Sequence, residues 1–374
     1  MSTAGIILSD ANRAAENGLA KDRTLASLPF AARYKLIDFT LSNMVNSGID
    51  HIGITTTRNY RSLMDHVRGG SVWDLDTKRS SITFLPPFCS AKSQSTYNGW
   101  LEALQAHIPY IESLEEDAVL FTSCDYIGTI DFEQMIDRHE QSGAKLTALY
   151  TRHPMRKAFS LPVNRYAVNE DGFLTDVERV TEAAEGEDAC YGVYCFIMKR
   201  KELLDRLYET TSEGENSLTR DLIAPLARAG EAAGYETDAT LLFVEDPAGY
   251  LQSSLELLDW KVRRELFEQP RMPIITRALD SAPGRYGKDA VVENCLIADG
   301  VKIDGTVRNS VIFRDVHVQR GAVVENSVLM RDVKVGENAQ LNYAVLDARA
   351  IVSPGRSLAG YITHPFYLER GTVI

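Results

Sequence analysis

The sequence predicts an α/β domain, doubly wound around a mixed or mainly parallel sheet, followed by a parallel β-helix. Three observations predict it. Up to about Trp260, short apolar runs alternate with amphipathic stretches, the pattern of strands and covering helices. Between Gln269 and Lys288, Pro270, Pro273, Pro283 and Gly284 interrupt any regular element. Beyond that, apolar residues recur at a step of 17 residues. The expected division is therefore 1–268, a linker over 269–288, and a β-helix over 289–374.

In the first part, strands are expected at Gly5–Leu8, His51–Thr55, Ala118–Thr122, Leu146–Tyr150, Tyr191–Ile197 and Thr240–Val244. Helices are expected at Phe39–Asn46, Trp100–Leu114, Phe132–Ser142, Lys201–Glu209 and Leu218–Ala229, with a closing helix over about Tyr250–Phe267. In the last part, three apolar columns carry the repeat. They are Cys295, Ile312, Leu329, Leu346; Val301, Val318, Val335, Val352; and Val307, Val324, Leu341, Leu358. Asn309-Ser310-Val311 returns as Asn326-Ser327-Val328, and Arg314-Asp315-Val316 as Arg331-Asp332-Val333. Each coil then buries one apolar residue per side against the next coil. The open ends and flat faces of such a coil favour packing against another subunit or domain.

The bulk composition narrows the function. The chain has 374 residues, 44% of them hydrophobic, and a net charge of −12. That charge argues against a nucleic-acid backbone as partner. Cys89, Cys124, Cys190, Cys195 and Cys295 are scattered without CxxC spacing, so free thiols in a reducing compartment are expected. Gly5-Ile6-Ile7-Leu8 is too short for a signal peptide or membrane span, and a soluble cytoplasmic protein is expected.

The motifs point to one family. Pro29-Phe30, Tyr34, Ile37-Asp38-Phe39, Leu41-Ser42-Asn43, Asn46-Ser47-Gly48-Ile49, Trp73-Asp74-Leu75-Asp76, Leu85-Pro86-Pro87 and Cys190-Tyr191-Gly192-Val193-Tyr194 occur in order. With the C-terminal repeats, they resemble glucose-1-phosphate adenylyltransferase (ADP-glucose pyrophosphorylase) along essentially the whole chain. The resemblance implies a nucleotidyltransferase-like first domain and a left-handed β-helix of hexapeptide type. It also implies a reaction in which glucose 1-phosphate attacks the α-phosphorus of ATP and pyrophosphate leaves. Such chemistry needs cations and backbone N–H groups on the phosphates, and Mg²⁺ held by carboxylates.

Against that family pattern, several parts are missing. The glycine-rich phosphate loop is replaced by Ser9–Gly18, with Asp10 and Glu16 bringing negative charge. Arg13 is there either as a leftover cation or as an exposed loop arginine. Arg23-Thr24-Leu25-Ala26-Ser27 puts Leu25 where the resemblance expects a catalytic lysine, and Ala31-Ala32 replaces a Gly-Gly pair. Gly99-Trp100-Leu101 stands for Gly-Thr-Ala near the nucleotide. One metal-site carboxylate persists at Asp125, where the plain alternative is a turn-capping role. The second falls on Phe243, or on Asp246 if the chain carries a small deletion. The sugar-phosphate position reads Arg179-Val180, or Glu178-Arg179 with a one-residue shift.

Asp125, Arg23 and Arg179 are thus the remnant site residues, with Asp125 an incomplete metal ligand. Within the family the pattern resembles the regulatory, GlgD-type subunit, which pairs with a catalytic GlgC-type subunit. The resemblance implies a heterotetramer and an allosteric small-metabolite effector. The alternative is an active adenylyltransferase using Arg13, Arg23, Asp125 and Arg179. Two lesser readings are an acyltransferase using His317 or His364, and a metabolite-sensing binding protein. Arg152 with Arg156, and Arg349 with Arg356, are candidate anion contacts.

Overall fold

The computed structural model describes residues 1–10, 18–56, 59–87, 97, 99–152, 158–183, 189–213, 217–244 and 246–374. Its first strand, Thr3–Leu8, is buried at every position and lies inside the sheet. It pairs in parallel with His51–Thr55 on one side and Ala118–Ser123 on the other. Ser81–Leu85 extends the parallel set beyond His51–Thr55. On the other flank, Cys190–Lys199 runs antiparallel to Ala118–Ser123, Leu146–Thr151 and Ala158–Val168. Leu174–Glu182 closes that edge, and Ala232–Glu236 pairs with Leu146–Thr151.

Among the described residues this makes a nine-stranded mixed sheet. Ser81–Leu85, Ala158–Val168, Leu174–Glu182 and Ala232–Glu236 escaped the sequence reading. The expected strand at Thr240–Val244 shrinks to Leu242–Phe243, outside the main sheet and paired with Tyr126–Ile127. Large apolar cores cover both faces, one around Ile7, Phe39 and Tyr250, the other around Ile6, Phe121 and Phe196.

Two expected helices are each broken in two. The first is Trp100–Ala106 followed by Ile108–Ser113, because Pro109 has no N–H to continue the ladder. The second is Pro247–Glu256 followed by Trp260–Phe267. There the Asp259 carboxylate accepts the Lys261 N–H and restarts the helix, as an N-cap does. Leu218–Ala229 begins as a π-turn, Leu218–Ile223, before Ala224–Arg228 turns α-helical.

Residues 269–284 carry no strand or helix, yet they are fastened to the helix Leu36–Asn46. Ser42 Oγ accepts the Ile275 N–H at 2.8 Å, and Asn46 donates to the Pro273 carbonyl at 3.0 Å. The fully buried Asp38 carboxylate accepts Thr276 Oγ1 at 2.5 Å and the Lys35 N–H at 2.9 Å.

The left-handed β-helix shows the step of 17 in its registers. Val318 pairs with Val335, Val335 with Val352, Ile312 with Leu329, and Val324 with Leu341. The first coil departs from the sequence reading. Ile297 rather than Cys295 faces Ile312, and Ile303 rather than Val301 faces Val318. The corner between Ile303 and Val307 is two residues shorter than the corner between Val318 and Val324. It closes only because Gly305 has no Cβ; one there would lie 2.4 Å from the Ala322 carbonyl oxygen.

The repeated Asn and Asp residues form the other corners. Asn294, Asn309 and Asn326 are left-handed, as are Asp315 and Asp332. Their short polar side chains tolerate that conformation. Ser310 and Ser327 build a ladder, each hydroxyl accepting a backbone N–H from the next coil. One face of the β-helix, carrying Val311, Phe313, Val328, Met330 and Val345, joins the core of the first domain.

Candidate nucleotide-site crevice

The topology itself marks where a ligand belongs. From Thr3–Leu8 the chain builds outward through His51–Thr55 and Ser81–Leu85, then crosses to Ala118–Ser123 on the opposite side. In an open α/β sheet, ligands bind at the carboxyl ends of the strands flanking such a switch. Here those ends deliver Ser9-Asp10 and Cys124-Asp125. Because Leu8 is in register with Ser123, Asp10 and Asp125 each stand two residues beyond a paired strand end.

Among the described residues, the strand ends present carboxylates. Asp10 Oδ1 accepts the Leu25 N–H at 2.6 Å, and the Ser9 carbonyl accepts the Ala26 N–H at 2.9 Å. A carboxylate thus holds one of the backbone donors there. Leu25, in the one-turn 3-10 helix Leu25–Ser27, sends its side chain into the core. Burial pushes the Cys124 thiol up, and the carboxylates of Asp125, Asp10 and Asp38 add to this. Arg13 and Glu16 lie outside the described residues.

The Asp125 carboxylate accepts the Ser123 hydroxyl. Burial raises its pKa and the Ser123 hydrogen bond opposes the rise. Its backbone carbonyl accepts the Val244 N–H at 2.8 Å, and Phe243 pairs directly with Tyr126. Phe243 therefore lies beside the Asp125 corner. Asp246 is used elsewhere, accepting the Gly249 N–H at 2.6 Å as the cap of Pro247–Glu256.

Among the described residues no group of three His, Cys, Asp or Glu side chains could hold a metal ion. A single recessed carboxylate, pushed toward its neutral form by burial, does not fit Mg²⁺, which prefers hard oxygen ligands in a tight octahedron.

The other candidates are scattered. Arg23 is buried and ion-paired to Asp347 of the β-helix, while its Nε donates to the Leu19 carbonyl at 3.0 Å. Arg179 is exposed on Leu174–Glu182 and donates to the Pro162 carbonyl at 3.2 Å. Two strands separate it from Ala118–Ser123 in the sheet. Glu178 pairs with Arg165 at 2.6 Å. Trp100 is only 8% exposed and lies 4.4 Å from the Tyr194 ring, so it belongs to the core under the sheet.

The remaining cations and histidines do not gather either. Arg152 is held by both oxygens of Glu236, and Arg156 lies outside the described residues. Arg349 and Arg356 are exposed. His317 lies 3.5 Å from Asp304, and His364 contacts its neighbour Thr363.

Sequence reasoning missed Asp347. The step of 17 aligns it with Phe313 and Met330, and a carboxylate in an otherwise apolar column was the signal.

Ala31 and Ala32 have a backbone that favours glycine, the residue type the resemblance expects at both positions. Both are left-handed, with φ of 52° and 60°. An L-residue there costs about 1–2 kcal/mol, partly offset by the entropy a glycine would lose on folding. Ala31→Gly and Ala32→Gly are therefore each expected to raise stability by about 0.5–1 kcal/mol. Denaturant midpoints of the single variants check this; a loss of stability would show that the alanine methyl groups matter more than the backbone.

A Rossmann-like domain with a coil of hexapeptide type is the architecture at hand, and known proteins share it. The nucleotidyl transferase family matches residues 18–239, and the GlmU-like C-terminal hexapeptide family matches residues 282–361. The chain is 34% identical to the glycogen biosynthesis protein GlgD of Geobacillus stearothermophilus over 95% of this chain and 92% of that one. It is 29% identical to GlgD of Bacillus subtilis (strain 168), with the same coverage. It is 29% identical to the glucose-1-phosphate adenylyltransferase of Clostridium perfringens (strain 13 / Type A), over 82% of this chain and 77% of that one. The chain belongs to the nucleotidyl transferase family, in the group formed by GlgD proteins and glucose-1-phosphate adenylyltransferases.

Proposed function

We propose that this chain is a non-catalytic or weakly catalytic regulatory subunit of ADP-glucose pyrophosphorylase in glycogen biosynthesis. It would work in a heterotetramer with a catalytic, GlgC-type subunit and respond to a small metabolite. One observation carries the reading: at the switch-point crevice, Asp10 takes the Leu25 N–H, and Phe243, which the ungapped register of the resemblance sets at the second metal carboxylate, pairs beside Asp125. Carboxylates at the described strand ends repel a triphosphate instead of stabilising charge that develops on phosphorus. The scaffold meanwhile keeps its cores and β-helix, as an assembly role requires.

The first coil of the β-helix supports an assembly role. Among the described residues, Val291–Ile297 pairs on one side only, with Thr306–Ile312. Tyr286, Val291 and Val292 are exposed beside it. An open edge with apolar residues invites another chain. The reaction partners are cytoplasmic metabolites, and we place the chain there. Among the described residues no helix is long and apolar enough to cross a membrane.

The test is to co-purify the chain with a catalytic subunit and assay each alone and together. The purified chain should make negligible ADP-glucose, and its addition should change the partner's rate or its response to metabolites. Robust synthesis by this chain alone would instead favour an active adenylyltransferase, a reading that rests on the retained Asp125. Asp125→Asn should then abolish the activity.

A further inference from the structure

Residues 18–26 lie between the crevice and the last coil of the β-helix and are held at both ends. On the crevice side, Leu25 and Ala26 donate to Asp10 and Ser9. On the β-helix side, Arg23 is ion-paired with Asp347, the two side chains only 8% and 3% exposed. The Tyr367 hydroxyl bridges the Asp347 carboxylate at 3.0 Å and the Gly18 carbonyl at 3.1 Å. Lys21 pairs with Glu369 at 2.9 Å in solvent.

Gly18 adds a steric part. Its φ of +79° is left-handed, and a Cβ there would lie 2.9 Å from the Tyr367 ring. The chain therefore approaches that ring as only glycine can. Asp347 has no packing reason to be charged, since its column otherwise carries Phe313 and Met330. A buried ion pair contributes little net stability, whereas it fixes one arrangement over others.

We propose that Asp347 and Tyr367 form a latch by which the position of the β-helix sets the conformation of residues 18–26, the edge of the crevice. A shift of the β-helix against the first domain separates Asp347 from Arg23, withdraws the hydroxyl from Gly18 and frees the segment. The inference does not depend on whether the chain is catalytic.

Amide hydrogen exchange on the full chain tests it with two variants. Tyr367→Phe keeps the ring and removes the bridging hydroxyl. The double variant Arg23→Met/Asp347→Leu removes the pair without stranding a charge. In both, amides of residues 19–26 should exchange about tenfold faster or more. Those of Thr3–Leu8 and Ala118–Ser123 should keep their rates. Unchanged exchange at 19–26 would overturn the latch, since the crevice contacts alone would then hold the segment. A uniform rise over the whole chain would overturn it too, as a mere loss of stability. Should the double variant not fold, Tyr367→Phe decides between these outcomes.

Discussion

Asp347→Ala is expected to destabilise the chain by about 3–5 kcal/mol, because it strands the Arg23 guanidinium in a buried place. In the native chain the guanidinium meets Asp347 and the Leu19 carbonyl, and Met330 Sδ lies 4.0 Å from it. The Tyr367 hydroxyl would lose one acceptor as well. The Arg23→Met/Asp347→Leu double variant should recover most of the loss, since two apolar side chains of similar reach need no counter-charge. The coupling between the two sites, read from urea midpoints of the single and double variants, should reach at least about 1.5 kcal/mol. Additive losses would show that Arg23 finds water or another partner once Asp347 is gone.

The second large effect is acid destabilisation between pH 6.5 and about 4. Burial pushes His107 down to about 4. His139 is also pushed down to about 4, by burial and then by the Lys199 charge. Both rings are neutral when folded. Tyr97 Oη is 2.8 Å from His107 Nε2, and Thr147 Oγ1 is 2.8 Å from His139 Nδ1.

Their folded values lie below the unfolded value near 6.5, so the unfolded chain binds more protons in this window. Their contribution is full above about pH 6.5 and is lost as pH falls towards about 4, by about 2–3 kcal/mol for each ring. Urea midpoints at pH 7, 5.5 and 4.5 should fall in that order. His107→Gln and His139→Gln should flatten the slope; an unchanged slope in the double variant would assign the acid sensitivity to other groups.

The fold was legible in the sequence where local pattern and tertiary need coincide. Thr3–Leu8 and Ala118–Ser123 are continuous apolar runs because they are covered on both faces. The step of 17 was readable because each coil repeats the same burial. Leu174–Glu182 was not, because an edge strand leaves most of its positions exposed and polar and blurs the alternation. The first coil was misread by two residues, since the shortened corner at Gly305 changes the register without changing the composition.

The candidate site was legible only in part. Leu25, Phe243 and the absent glycines were visible as departures from a family pattern, and the structure gives Leu25 and Phe243 a physical place. Leu25 is core, and Phe243 pairs opposite Tyr126. Arg23 could be named from its register, but nothing local to it announced a partner 324 residues away.

By itself, then, the sequence determined the two architectures and the family, because burial periodicity and motif order are written along the chain. Only the tertiary structure decided what the surviving polar groups do. Asp10 turns to Leu25, Arg23 turns away to Asp347, and Asp246 caps a helix. A charged side chain takes its role from the partner that folding brings within reach, and distance along the chain does not encode that partner.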